Sequence, residues 1–529
     1  MEENKKGKMN IRLKRLILGL SLVCVSLTIG VVTGIKISKV NTSGNNGGNQ
    51  ANSLANELSN FLKANWYSEI YYGKDVDEDV LISQFIGALS TSKDTMLDPY
   101  TYLIENEPTS STPAQVKGKL GATFTNYYGL PIVTKIEETA ACKGYLQVGD
   151  IVLSLGKLND SGNYTYYSIF DKDMTFSGLF ENGLGLPDEV EKVKIARRKN
   201  DSFEYKDYDI KLKAPMGASI AYLESENISN TIMVKLDGFV HDADNNYGTC
   251  EQFKEILEKN VADNLIIDLR GNGGGDVTSV INIADLFLDN DLVVASLEYK
   301  NKKLSNYVTD DDILFEYDNI VILQDGGTAS ASEILISALL YYYPDKVTLV
   351  GEKSYGKGIC QSTTNIMQGK YYLKYTIAKW LRPDGSWIGM TDSAIEGEFG
   401  FKPDENNQTS KSEIYDLMNY TNSYLSYYGL SFYKENDADF NAFTLDCVAP
   451  QNKLFFEIYN LLYSKDIRVD MYFDDTCKDA LKNYQKLKNL DQTGLMNQDT
   501  IISIVFDYYN QVTDYDNSYV NLAKGIIEN

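Results

Sequence analysis

One stretch constrains this fold more than any other: Gly326-Gly327-Thr328-Ala329-Ser330-Ala331-Ser332-Glu333-Ile334, which follows Ile320-Val321-Ile322-Leu323 and runs into Leu335-Ile336-Ser337-Ala338-Leu339-Leu340. The unbroken apolar run predicts a buried strand, the small residues a tight turn and the next run a helix. Such an arrangement seats the Ser330 hydroxyl at a helix N-terminus, where backbone N–H groups lack intrahelical partners and can hold a developing oxyanion. A plainer reading has Thr328, Ser330 or Ser332 capping the helix and nothing more.

A serine nucleophile needs a base. The chain has one histidine, His241, in the polar stretch Val240-His241-Asp242-Ala243-Asp244, so a Ser/His/Asp triad or a histidine zinc site would rest on it alone. Gly356-Lys357-Gly358-Ile359-Cys360-Gln361 offers an alternative, since a buried lysine can be neutral and accept the serine proton. Gln361 supplies an amide to hold that amine in place.

Thr328 to Glu333, the Gly356-Lys357-Gly358 segment and Gln361 resemble the active site of the carboxy-terminal processing proteases, the tail-specific Ser/Lys peptidases of type S41. Carried over by position, the resemblance implies Ser330 as nucleophile, Lys357 as general base and Gln361 as its orienting partner, with Ser332 and Glu333 supporting. It also implies a ClpP/crotonase-like core and substrates with exposed, flexible, apolar C-termini. The stretch from Ser330 to Lys357 is slightly longer than in the family, around Tyr341-Tyr342-Tyr343-Pro344, an extension that a loop absorbs.

Upstream, apolar alternation from Ser219 ends in Ile232-Met233-Val234-Lys235-Leu236, a helix is expected from Thr249 to Asn260, and Leu265-Ile266-Ile267-Asp268-Leu269-Arg270 follows as a strand. Strand, crossover helix and strand make a parallel unit. Gly271-Asn272-Gly273-Gly274-Gly275-Asp276 then opens another helix. A phosphate-binding role fails on detail: no Lys-Ser/Thr pair follows, and Asp276 stands where a third dinucleotide-binding glycine belongs. The segment resembles the family's Asp-Leu-Arg-x-Asn-x-Gly-Gly, which implies an oxyanion-hole pair from Gly274 and Ala331. Gly271 and Gly273 depart from the family's more usual Asn and Pro.

A net charge of −24 argues against nucleic acid as a partner. Six cysteines without a C-x-x-C pair predict neither a disulfide framework nor a zinc module, and Cys360 reads as a buried strand cysteine. Leu16 to Ile35 is uncharged and mostly apolar, with six basic residues before it and Lys36 and Lys39 after it. It is expected to be an uncleaved single-pass membrane anchor that keeps the N-terminus cytoplasmic and exports the remainder. Asn41 to Ser53 reads as a flexible tether.

Leu120-Gly121-Ala122, Leu130-Pro131-Ile132-Val133 and Val148-Gly149-Asp150-Ile151-Val152 resemble a PDZ domain, which implies that Leu120, Gly121 and Ala122 hold a peptide carboxylate. The polar and aromatic stretch Asn159 to Pro187 departs from it where the groove helix belongs; a small β domain without a peptide site is the alternative. Asp475-Thr476, Ala480-Leu481-Lys482-Asn483-Tyr484-Gln485 and Gly494 to Asp499-Thr500 look like a peptidoglycan-binding helical module, against a plain dimerisation or capping domain.

The expected fold class is therefore multidomain mixed α/β. Its parts are a basic cytoplasmic tail (1–15), transmembrane anchor (16–35), linker (36–53), helical segment (54–113), PDZ-like domain (114–213), protease core (214–405), linker and irregular structure (406–444), and a peptidoglycan-binding-like helical domain with tail (445–529). Expected partners are protein substrates with exposed C-termini, peptidoglycan, the membrane and a second copy of the chain; no cofactor or metal is expected. Truncation after Val448 is expected to spare peptide hydrolysis. The rival reading is a non-catalytic wall-binding scaffold that recruits other hydrolases.

Overall fold

A computed structural model describes residues 57–65 apart from 59 and 63, residues 100–105, and residues 117–528 apart from 138, 160, 215–219, 224–227, 242–247, 367–370, 390–398, 436, 438–439 and 441. The expected tail, anchor and linker lie outside the described residues, as does most of the helical segment 54–113. Among the described residues no helix is long and apolar enough to cross a membrane. Strand β1 (Tyr102–Glu105) follows directly on Tyr100 and Thr101.

The described residues fall into two compact units, one made of those within 117–214 and 411–518, the other of those within 57–65, 100–105, 220–410 and 519–528. The first begins with an antiparallel sheet: β2 (Ala122–Tyr127), β3 (Leu130–Ile136), β4 (Ile151–Leu158), β6 (Val190–Lys199) and β7 (Ser202–Lys211) in that order, with β5 (Tyr164–Ser168) on β4. The Gly149-Asp150 turn forms as its sequence implies: Gly149 takes a positive φ of 92° and the buried Asp150 accepts a 2.6 Å bond from Arg197. Helix α1 (Phe176–Gly183), capped by Thr175, lies within the divergent Asn159–Pro187 stretch.

The second unit is built on apolar runs that do not alternate, because both faces of a mainly parallel sheet are covered. Its order is β14 (Val347–Gly351), β13 (Asn319–Gln324), β10 (Asn264–Asp268), β9 (Thr231–Leu236) and β8 (Ala221–Leu223), parallel except at β8. Every residue of β10 is buried. Helix α2 (Thr249–Lys259) crosses from β9 to β10, α3 (Val277–Asp285) follows β10, and α4 (Ala331–Tyr342) joins β13 to β14. A second, antiparallel sheet sets β16 (Tyr371–Leu381) between β1 and β11 (Val293–Tyr299), with β12 (Leu304–Val308) beyond β11 and β15 (Ile359–Ile366) also on β16.

Among the described residues that follow, the helices are α5 (Glu413–Tyr427), α6 (Pro450–Tyr463), α7 (Asp475–Leu487) and α8 (Gln498–Ile527). The stretch 406–444, expected as linker and irregular structure, thus carries a helix, started by Ser412, whose hydroxyl accepts the Tyr415 N–H at 3.1 Å. The segment 445–529, expected as a separate module, is not separate. Tyr128 in the β2–β3 turn donates its hydroxyl to the Met418 carbonyl at 3.0 Å, and its ring stacks 5.0 Å from that of Tyr508. Sheet residues such as Ile132 and Ile195 belong to the same apolar core as Phe432, Phe443, Phe455 and Tyr508. The last turns of α8, from Tyr519, belong to the other unit.

Candidate active site

The turn between β13 and α4 is held by its own polar residues. Asp325 accepts the Gly327 N–H at 2.8 Å and the Gly271 N–H at 3.0 Å, Thr328 donates its hydroxyl to the Leu269 carbonyl at 2.8 Å, and Ser332 donates to the Asn272 carbonyl at 2.9 Å. Two of the three candidate hydroxyls therefore bind the neighbouring glycine loop. Ser330 makes no side-chain cap bond and sits at φ 58°, ψ −115°. A side chain held at positive φ costs on the order of 1–3 kcal/mol and persists only where its surroundings over-determine it. A cap bond thus does not account for the Ser330 hydroxyl, although its N–H is held by the Glu333 carboxylate as in a capping box.

The loop after β10 lies directly against it. A Cβ on Gly274 would stand 2.8 Å from each of the Ala329 carbonyl oxygen, the Ala331 nitrogen and the Ser330 Cβ, and the residue has φ 101°, so only glycine fits. Asn272, fully buried, organises the approach: its amide donates to the Leu236 carbonyl at 2.9 Å and accepts the Gly274 N–H at 2.9 Å, while its carbonyl accepts the Ala329 N–H at 3.0 Å. Gly274 and Ala331 lie against each other, and the Gly274 N–H already has an acceptor in Asn272. The Ala331 N–H, at the first position of α4, has no intrahelical acceptor.

Glu333 joins the two halves of the site. Its carboxylate is fully buried and takes four donors: the Ser330 and Lys357 N–H groups at 2.9 Å each on one oxygen, the Ser354 hydroxyl and the Gly356 N–H at 2.6 Å each on the other. The main chains of Ser330 and Lys357 thus share one oxygen atom. Burial pushes the Glu333 carboxyl above its ordinary range, and the four donors pull against that push.

Two indoles also hold the lysine loop. Trp380 donates its ring N–H to the Lys357 carbonyl at 2.8 Å, and Trp387 donates to the Gly358 carbonyl at 2.5 Å. A Cβ on Gly358 would stand 2.4 Å from the Trp387 ring nitrogen, and Gly356 has φ 83°, which is why glycine flanks the lysine on both sides. The Lys357 ammonium lies 5.4 Å from the centre of the Tyr100 ring, and Gln361 donates its amide to the Tyr100 carbonyl at 2.5 Å. Gln361 and Lys357 therefore meet on Tyr100. Cys360 is half-buried on β15, and His241 is exposed.

In the other unit, the expected carboxylate loop turns at Gly121, with φ 78°, and its Leu120 and Gly121 carbonyls accept the Cys142 and Glu137 N–H groups at 2.9 Å each. Strand β2 beside it is a sheet edge among the described residues. Phe124 of β2 meets Phe180 of α1 with ring centres 4.5 Å apart.

Among the described residues, Asp285, Asp310 and Asp311 place three carboxylates within 4.8 Å of one another. Asp285 accepts the Asp310 and Asp311 N–H groups at 2.9 and 3.3 Å, which is a loop fastening.

The roles of Asn272, Trp380, Trp387 and Tyr100 escape sequence reasoning, because each acts through a partner far away in the chain. Asn272 alone carried a signal, as a polar residue set inside a glycine run.

Residues 221–406, which include Ser330, Lys357 and Glu333, match the family model described as peptidase family S41. The chain is 29% identical over 263 residues to the carboxy-terminal processing protease CtpA of Bacillus subtilis, covering 50% of this chain and 49% of that protein. It is 28% identical over 329 residues to a protein of Staphylococcus aureus described as a probable CtpA-like serine protease, covering 61% of this chain and 58% of that one. The chain thus spans about half the length of these curated relatives. A solved photosystem II D1 C-terminal processing protease aligns over 68% of this chain and 92% of its own, at 18% identity and a TM-score of 0.36. The sequence matches support peptidase family S41 as the kin of the segment that carries Ser330 and Lys357.

Proposed function

We propose that this chain is a serine endopeptidase of the carboxy-terminal processing kind, with Ser330 as nucleophile and Lys357 as general base. The observation that carries the reading is the buried Glu333 carboxylate, which gathers the Ser330 and Lys357 main chains on one oxygen. Neutral Lys357 takes the Ser330 proton, Ser330 attacks the peptide carbonyl, and the Ala331 N–H stabilises the oxyanion. The Gly274 N–H joins it when Asn272 lets go. Lys357 returns the proton to the leaving amine, and water then releases the acyl-enzyme. Gln361 steadies Tyr100, whose ring faces the lysine.

Cleavage of casein and of a fluorogenic peptide by the intact chain tests this. Ser330→Ala and Lys357→Ala should each lower kcat by at least about 1,000-fold without adding, because the two residues act as one unit. Unchanged casein cleavage by Ser330→Ala sinks the reading, and no cleavage by the parent favours the scaffold.

Substrate choice is assigned to the β2 edge and the Leu120-Gly121-Ala122 loop, where a C-terminal segment adds as a strand after parting Phe124 and Phe180. Amidating the C-terminus of a substrate should raise its KM or remove its activating effect. Equal kinetics for free acid and amide remove that role.

Residues 16–35 are proposed as the membrane anchor that places the rest outside, and the C-terminal helices as the contact with peptidoglycan. Recovery of the intact chain in a salt-washed soluble fraction, or its failure to sediment with insoluble wall, contradicts the respective placement.

A further inference from the structure

Outside the region that matches the family, Tyr519 touches the residues that lead into both loops of the proposed site. Tyr519, in the last turns of α8, is 1% exposed. The Arg270 guanidinium lies 4.8 Å from the centre of its ring. That guanidinium is held at its edge by the fully buried Asp268, through bonds of 2.9 and 2.7 Å. Arg270 is the residue that leads into Gly271-Asn272-Gly273-Gly274.

The ring also packs against Gly351. A Cβ there would lie 2.2 Å from the Tyr519 ring, and Gly351 has φ 119°, so ring and glycine are made for each other. The Tyr519 hydroxyl stands 3.5 Å from a Glu352 carboxylate oxygen. Gly351 and Glu352 lead into Ser354, Gly356 and Lys357, the segment that Glu333 holds from the front.

From these contacts we infer that Tyr519 is a positioning residue for the proposed peptidase, one that sets the glycine loop and the lysine loop against each other from behind. It touches neither substrate nor reacting atoms. A misplacement of about 1 Å in such groups can cost about 100-fold in rate. Its loss should therefore appear in kcat, with KM for a short peptide little changed. The flat ring makes the contacts to Arg270 and Gly351, so phenylalanine should substitute for it and leucine should not. The inference rests on the peptidase reading for its kinetic consequence but not for its structural one.

The test uses the intact chain with Tyr519→Phe, Tyr519→Leu and Tyr519→Ala, reading peptide kinetics and amide hydrogen exchange side by side. For Tyr519→Leu and Tyr519→Ala we expect kcat to fall by about 10- to 100-fold with KM within about threefold. We also expect faster exchange at residues 271–275 and 352–358, with the remaining sheet amides unchanged and Tyr519→Phe close to the parent. Parental exchange at both loops in Tyr519→Leu overturns the inference, whatever the kinetics show. So does parental kcat in a folded Tyr519→Leu, even if alanine unfolds the chain. A parent that cleaves nothing, with exchange at both loops raised in the variants, leaves the positioning role standing and fails the peptidase reading instead.

Discussion

Replacing Glu333 with alanine is expected to abolish the proposed hydrolysis and to lower the melting temperature of the unit that carries Ser330. The carboxylate takes four donors, three of them main-chain N–H groups, in a site closed to water. Each buried donor left without an acceptor costs about 1–3 kcal/mol, against a total stability of about 5–15 kcal/mol for a domain. The expected loss in melting temperature is on the order of 10 °C. Glu333→Gln keeps the size but turns one acceptor into a donor that faces other donors, so it should also lose nearly all activity. Thermal unfolding and peptide cleavage on the same samples check this. A Glu333→Gln chain with parental kcat would remove Glu333 from the account.

Truncation after Val448 is expected to destroy the fold of the unit that carries the edge strand β2. The cut removes Phe455, Phe456, Tyr484 and Tyr508 from the core that holds Ile132 and Ile195, and it removes Tyr519 from the catalytic unit. A buried aromatic or leucine contributes about 1.5–3 kcal/mol, so losing four removes about 6–12 kcal/mol, comparable to the whole stability of about 5–15 kcal/mol of an ordinary domain. This reverses the expectation drawn from sequence, in which the C-terminal helices were a dispensable module. Calorimetry should show no cooperative transition for residues 112–218, and casein cleavage should fall at least about tenfold. A truncated chain with a parental melt and parental kcat contradicts the shared core.

Local signals in the sequence reported local structure well. Ile320 to Leu340 reads as strand, turn and helix because burial on both faces leaves an unbroken apolar run, and the structure places β13 and α4 there. The Gly-Lys-Gly segment and the glycine run after Arg270 marked the loops that approach the serine.

What stayed hidden was the choice of partner. An apolar helix face says that it is buried, not against what, so nothing in α5 or α8 announced Tyr128 or Arg270 as neighbours. Helix α5 was missed because its tyrosines, asparagines and serines give weak contrast between faces. Glu333 was visible as a supporting residue, but three of its four bonds depend on Ser354, Gly356 and Lys357 folding back onto it.

The central claim is that Lys357 makes Ser330 nucleophilic, and covalent labelling tests it most directly. The parent, Lys357→Ala and Lys357→Arg are treated with a fluorophosphonate and the adduct is located by peptide mass mapping. A guanidinium stays protonated and cannot accept the serine proton. The account predicts a single adduct on Ser330 in the parent and labelling at least about 1,000-fold slower in both lysine variants, with their folds intact. An adduct on another residue such as Ser332, or parental labelling of Ser330 in Lys357→Arg, would contradict it.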